Sequence, residues 1–427
     1  MARPRCAIAV LPAAEAGTER LIASVERAKA FGLGDLAEIV LLPMKEKRDA
    51  RLALAEAASA AESAGFEWLL AVDARETLSP DIFVKAAPAL RVHDAIWGAA
   101  GVATAGHPDP KVERATRLAA QDLPTFFHAA LAWWIGPSHF VRPAAALRAL
   151  HGADAPGWYA DYMLHLWREG KAYKTAQRLT LFHDVLPPVA EIVRERLVEH
   201  LRREPVFMLV HHGGAAVRLP YTGLNPVIER EQMRGLFFEA EELRFLAERL
   251  PRGLRIVDVG ANTGNHTLFF AAIMQAQSVI PIEPDPRSGE AVRAAVAANG
   301  LANVDLARLG VAVGAGEGRL RGIPSLTAGL GAMHFVPDPD GEIPQRPLDS
   351  LIDGRVDFLK IDVEGMEMAA LEGAAGLISR NRPHLYIEVV DEVVAQFMHW
   401  ADRNAYRVER LFPDKTHCNY FLTDNRS

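Results

Sequence analysis

The run Ile256-Val257-Asp258-Val259-Gly260-Ala261-Asn262-Thr263-Gly264 constrains the fold more than any other stretch, because an apolar strand passes directly into a turn of small residues. Glycine is needed where the backbone takes positive φ or must approach a ligand closely. A second apolar run then ends in Glu283. A strand, a tight turn and a second strand closed by a carboxylate can seat a nucleoside, with the carboxylate accepting from both ribose hydroxyls. The dinucleotide fingerprint G-x-G-x-x-G is not met, since the order is Asp258-x-Gly260-x-Asn262-x-Gly264. An acid at the first turn repels a pyrophosphate and suits an ammonium, so S-adenosylmethionine fits better than NAD. The candidate cofactor residues are Asp258, Gly260, Asn262, Gly264 and Glu283. Each polar one also has a plainer reading: Asp258 as a helix cap, Asn262 as a cap or turn residue, Glu283 as an exposed strand-end carboxylate.

Three further motifs follow in order: Ile282-Glu283-Pro284-Asp285-Pro286, Lys360-Ile361-Asp362-Val363-Glu364-Gly365 and Arg382-Pro383-His384-Leu385-Tyr386-Ile387-Glu388. Together with Asp258 to Gly264 they resemble the ordered motifs of FkbM-type methyltransferases. The resemblance runs from near Phe207 to the C-terminus and implies a seven-strand Rossmann-like sheet with S-adenosylmethionine at its carboxyl edge. It does not name the acceptor.

Methyl transfer from a sulfonium is an in-line displacement, so alignment and charge stabilisation are the main demands, and a hydroxyl acceptor also needs a base. In Val356 to Asp362 the strand period puts Phe358, Lys360 and Asp362 on one face. A lysine inside a parallel strand needs a partner, and Asp362, Glu364 and Glu388 are candidates. The functional reading places Lys360, Asp362 and Glu364 around the transferring methyl, with Asp362 preferred as base or metal ligand and Glu364 next. The plainer reading is an ion pair that braces the strand end. His266 and His334 are weaker candidates for proton removal. His211 and His212 are adjacent on a strand and so point to opposite faces, which makes them a poor metal pair.

At 427 residues the chain suits two or three domains. A net charge of −7 without a basic block argues against a nucleic-acid partner. Cys6 and Cys418, at opposite ends, form neither a metal cluster nor a disulfide framework, as expected in a reducing compartment. Arg3 and Arg5 before an apolar stretch imitate a secretion signal, but Cys6 to Leu11 followed by a helical pattern reads better as a first core strand. No run approaches a membrane span, so a soluble cytoplasmic protein is expected.

From Cys6 to about His183 short apolar runs alternate with alanine-rich helical patterns, which predicts an α/β domain over 1–188. Pro187-Pro188 closes it, a helical linker follows over 189–204, and the second domain covers 205–427. In that domain Val206 to Leu219 reads as strands around His212-Gly213-Gly214, Glu239 to Leu250 as an amphipathic helix, and Val304 to Val313 as the third strand. Pro324 to Pro347 reads as a mobile loop able to close over an acceptor.

In the first half, Glu67 to Glu76 followed by Leu78-Ser79-Pro80-Asp81 resembles the strand and acidic turn of glycosyltransferase-A enzymes, where two carboxylates hold a divalent ion against a sugar nucleotide. Asp73 stands first, but Arg75 takes the second position, so metal binding requires Glu76 to turn inward. Asp161 to Gly170 resembles the helix carrying the catalytic base, and His183 stands where a third ligand is expected. The plainer reading makes Asp73, Asp81 and Asp161 turn and helix caps, and Trp133-Trp134 core. A sugar-handling fold beside a methyltransferase suggests an O-methyltransferase acting on a sugar hydroxyl of a glycan or glycoconjugate, with a divalent metal possible and the oligomeric state open. The alternatives are a bifunctional glycosyltransferase/methyltransferase and a noncatalytic glycan- or nucleotide-binding scaffold.

Overall fold

The computed structural model describes residues 3–12, 18–43, 49–102, 119–132, 135–153, 156–182, 191–223, 225–323, 334–363 and 365–426. The chain divides into two compact units, Met1–Glu204 and Pro205–Ser427.

The first unit is α/β, as the alternating pattern predicts. Its strands are β1 (Arg5–Leu11), β2 (Glu38–Leu41), β3 (Trp68–Asp73), β4 (Glu76–Leu78), β5 (Ala95–Val102), β6 (His139–Val141) and β7 (Ala172–Phe182). They form one seven-stranded sheet in the order β2-β1-β3-β6-β5-β7-β4. The central strands β1 and β3 are parallel, and Cys6, Ile8, Leu70 and Val72 are buried with Leu21, Val25 and Phe83 from flanking helices. The helix Glu191–Arg203, expected as a linker, belongs to this unit. Arg196 and His200 on it pair with Asp161 on the helix Trp158–Arg168.

The second unit opens with the hairpin β8 (Val206–His212) and β9 (Ala215–Tyr221), whose turn residues Gly213 and Gly214 both take positive φ. Paired positive φ angles match the strand twist and demand glycine. Its strands continue as β10 (Arg255–Val259), β11 (Ser278–Ile282), β12 (Ala312–Val313), β13 (Gly318–Ile323), β14 (His334–Pro337), β15 (Ile343–Arg346), β16 (Phe358–Ile361), β17 (His384–Val390), β18 (Tyr406–Pro413) and β19 (His417–Asp424). The main sheet runs β11-β10-β16-β17-β19-β18, with β11, β10, β16 and β17 parallel and β18 and β19 antiparallel.

This sheet has six strands among the described residues, where the family resemblance implies seven. The missing edge is Val304 to Val313. Val304 and Leu309 make isolated parallel bridges to Val279 and Glu283 of the β11 edge. Between them Asp305 accepts from the Ala307 amide and starts a 3-10 turn, Leu306–Arg308, which breaks the ladder. Only Ala312–Val313 is regular, and it joins a separate sheet of order β12-β15-β13-β14. Pro324 to Pro347 is therefore not one long loop: β14 and β15 lie within it, and residues 324–333 fall outside the described set.

The parallel strands β10 and β16 are buried on both faces, with Asp258 and Lys360 the charged exceptions on one of them. Val257, Val259, Leu359 and Ile361 pack with Leu371, Leu377 and Phe397 in one core. Leu359→Ala should cost about 2–5 kcal/mol by leaving a cavity at the sheet centre. Urea unfolding followed at the second unit's transition checks this, and a change under about 1 kcal/mol would contradict central packing.

Candidate functional site

A cleft of about 500 Å³ lies at the carboxyl ends of the parallel strands. Its lining includes Gly260 and Asn262 after β10, Glu283 and Asp285 after β11, Asp362 after β16 and Glu388 on β17. The strand β10 sits between β11 and β16, so this is where the chain order reverses, the usual place for a ligand in an open parallel sheet.

The turn after β10 is shaped by close approach of neighbouring backbone. Gly260 has φ +79°, and a Cβ there would overlap the Asp362 carbonyl oxygen. Gly264 has φ +90° and precedes the helix Asn265–Leu268, with Val292 beside it. Asn262 takes the left-handed conformation too, φ +48°. Its amide donates to Glu283 Oε2 at 2.8 Å, and its side-chain oxygen accepts from Asn225. The other Glu283 oxygen accepts from the Asp285 amide at 2.8 Å. Burial pushes the Glu283 carboxyl up to about 7, with the Asp285 charge adding to it and the two amides opposing.

Asp258 is placed differently from the sequence expectation. It is fully buried and is not among the cleft residues. Oδ2 accepts from Thr267 at 2.6 Å, and Oδ1 lies 3.2 Å from Lys360 Nζ. The partners it meets are Thr267 and Lys360 rather than the cleft.

Lys360 is itself 1% exposed. Its ammonium reaches Asp258, Asp362 Oδ2 at 3.1 Å and the Gly260 carbonyl at 3.1 Å. Burial works against its charge, but Asp362 and Asp258 outweigh that, and the net shift is upward. Lys360 does not line the cleft. Asp362 does, its side chain about one-third exposed, and Glu364 lies outside the described residues.

Several cleft groups escaped the sequence reading, Glu239 and His417 among them. Glu239, a left-handed residue before the helix Ala240–Arg249, pairs with His266 at 3.1 Å and accepts from Asn419. Burial opposes the Glu239 charge, but His266 and then Lys360 outweigh it and hold the carboxyl below its ordinary value. His266 is thus a buried partner. His417 lines the cleft beside Asp414 and Thr416, its Nε2 3.3 Å from Glu388. Glu239 carries no local signal beyond the acidic helix start, and His417 becomes a neighbour of Glu388 only through β17–β19 register. His334 begins β14, its side chain outside the description.

In the first unit Arg75 closes on Asp73: Nη2 reaches Oδ2 at 2.7 Å, and the Arg75 amide and Nε both donate to Oδ1 at 2.9 Å. Glu76 does turn inward, and burial pushes its carboxyl up to about 7. Asp81 accepts from Ser79 and pairs with Lys85. Asp161 is held by Arg196 and His200, which fixes two helices to each other. His183 and Trp133-Trp134 lie outside the described residues. Among the described residues no group of three or more His, Cys, Asp or Glu side chains could hold a metal ion. No described helix is long and apolar enough to cross a membrane.

Residues 258–408 match the methyltransferase FkbM domain. The match begins at Asp258 and contains Glu283, Lys360, Asp362 and Glu388. Among solved structures, the chain is similar to methyltransferase FkbM from Methylobacillus flagellatus KT, 25% identical over 44% of this chain and 46% of that one, with a TM-score of 0.31. The chain thus spans less than half the length of that solved relative. A ribosomal protein L11 methylase from Lactobacillus delbrueckii subsp. bulgaricus aligns at 14% identity over 44% of this chain and 82% of its own, TM-score 0.29. Trm5b from Pyrococcus abyssi aligns at 12% identity over 51% and 56%, TM-score 0.31. No curated protein matches the chain.

Lys360→Met should destabilise the second unit by about 3–5 kcal/mol, because it leaves Asp258 as an unpaired buried charge. Chemical denaturation measures it. A loss under about 1 kcal/mol would mean that Asp258 does not depend on the ammonium.

Proposed function

We propose that the second unit binds S-adenosylmethionine in the cleft and directs its methyl group to a sugar hydroxyl of a glycan or glycoconjugate. The observation that carries the cofactor half is Glu283, a buried carboxylate in the cleft wall whose two oxygens are each steadied by one backbone amide. Each oxygen keeps a lone pair, so the group can accept from a ribose diol. The left-handed turn Gly260 to Asn262 exposes backbone beside it. The donor set therefore fits a nucleoside, and the match to the FkbM domain supports methyl transfer. When bound, S-adenosylmethionine supplies an electrophilic methyl on a sulfonium. Asp362 presents negative charge to the cleft while Lys360 fixes its Oδ2.

The sugar acceptor rests on the resemblance of the first half to glycosyltransferase-A enzymes. The bidentate Arg75–Asp73 pair favours a first unit that does not itself transfer sugar, because a guanidinium occupies the carboxylate a metal would need. The two-unit chain should show no Mn²⁺-dependent turnover of sugar nucleotides, and Arg75→Ala should tighten Mn²⁺ binding. Robust turnover by the wild type would establish the bifunctional reading instead.

Glu283→Ala should weaken S-adenosylmethionine by about 2–3 kcal/mol with the fold intact, since charge-assisted hydrogen bonds are the strong class. A titration of the folded variant tests this, and unchanged affinity would remove Glu283 from the site.

Protonation gives a second readout. Burial raises the Glu283 carboxyl from its ordinary 4.5 to about 7 in the folded chain. The folded state therefore binds the proton more tightly than the unfolded chain, and this contribution to stability fades as pH rises through about 7. Ribose hydroxyls favour the ionised form, so binding at pH 6 to 6.5 should release a proton, a window set by that value. Calorimetry in two buffers of different ionisation enthalpy detects it; equal enthalpies would contradict it.

A further inference from the structure

The cleft wall has two halves. Gly260, Asn262, Glu283 and Asp285 follow β10 and β11, where the nucleoside reading places the cofactor. Glu388, Thr416 and His417 stand at β17 and the start of β19 and are left over by that reading. An acceptor hydroxyl meeting the methyl from this second half needs a group able to take its proton.

The carboxylates in the wall are each steadied by a protein group. Asp362 Oδ2 is held by Lys360, both Glu283 oxygens by amides, Glu239 by His266 and Asn419, and Asp285 by Arg287. His417 is arranged differently. In the antiparallel pairing of β17 with β19, Glu388 faces Asn419 and Val390 faces His417, so Glu388 and His417 are diagonal neighbours on one face. His417 Nε2 lies 3.3 Å from Glu388 Oε2 and 3.9 Å from Asp414 Oδ2. No described residue hydrogen-bonds Nδ1, and the ring is about one-quarter exposed. A histidine whose one nitrogen faces a carboxylate is fixed in orientation and tautomer, with the other nitrogen left as an acceptor.

We propose that His417, oriented by Glu388, is the base that takes the acceptor's proton. This rests on the methyl-transfer reading above. The hydroxyl proton passes to His417 Nδ1 while the oxygen lone pair bonds to the methyl carbon. The carbon–sulfur bond breaks with its electron pair on sulfur, so the donor leaves as a neutral thioether. The positive charge moves from the sulfonium to the imidazolium, which Glu388 and Asp414 face. The base role expected of Asp362 passes to His417, and Asp362 remains a charge beside the methyl.

The test uses the full chain loaded with S-adenosylhomocysteine. Histidine-selective ¹⁵N NMR, with His417→Gln assigning the resonance, should show neutral His417 protonated at Nε2 and bare at Nδ1; the opposite tautomer overturns the proposal without reference to turnover. Labelled-methyl transfer from S-adenosylmethionine into a fractionated glycan pool should then fall by about 10²-fold or more in His417→Gln, and by about 10-fold in Glu388→Gln. Donor affinity should stay within about threefold in both. Wild-type rate in His417→Gln overturns the pair alone. A wild-type chain that binds the donor and labels nothing overturns the transfer reading itself.

Discussion

The ammonium of Lys360 organises the second unit's sheet edge. It joins the carboxylate of β10, the carboxylate after β16 and the carbonyl of the first turn residue, Gly260. A buried lysine is tolerable only when opposite charge and hydrogen bonds replace the water it loses. Here the replacements come from separate stretches of chain, so satisfying one side chain draws two strand ends and a turn together. Gly260 then sits against the Asp362 carbonyl, where no other residue fits. Asn262 is carried into a left-handed conformation that aims its amide at Glu283. The cleft wall follows from that convergence.

Much of this edge was legible in the sequence because its signals are local. A strand followed by Gly260, Asn262 and Gly264 specifies a tight turn, and a second strand closed by Glu283 places a carboxylate beside it. The period of two likewise put Lys360 and Asp362 on one face, where they pair. What stayed hidden depends on which strands become neighbours. Asp258 read as a cofactor contact because nothing local shows that Lys360 lies across from it in the β10–β16 register. His417 gained meaning only from pairing with β17, nearly thirty residues away. The strand expected at Val304 to Val313 failed for a local reason, since Asp305 preferred its own turn.

The two units differ in how their acidic residues are used. In the first, Asp73 is closed by Arg75 and Asp161 by Arg196 and His200, so these carboxylates hold structure together. In the second, Glu283, Asp362 and Glu388 keep one side toward a common cleft while protein groups steady the other. Such half-committed carboxylates can orient a ligand without reorganising, which is what positioning chemistry requires.

The central claim is that a nucleoside sits against the turn after β10 and the end of β11. Hydrogen–deuterium exchange of the full chain with and without S-adenosylhomocysteine tests it most directly. A nucleoside bound there slows exchange chiefly at Gly260 to Gly264 and Glu283 to Asp285. Protection confined to the first unit, or none at saturating ligand, would contradict it.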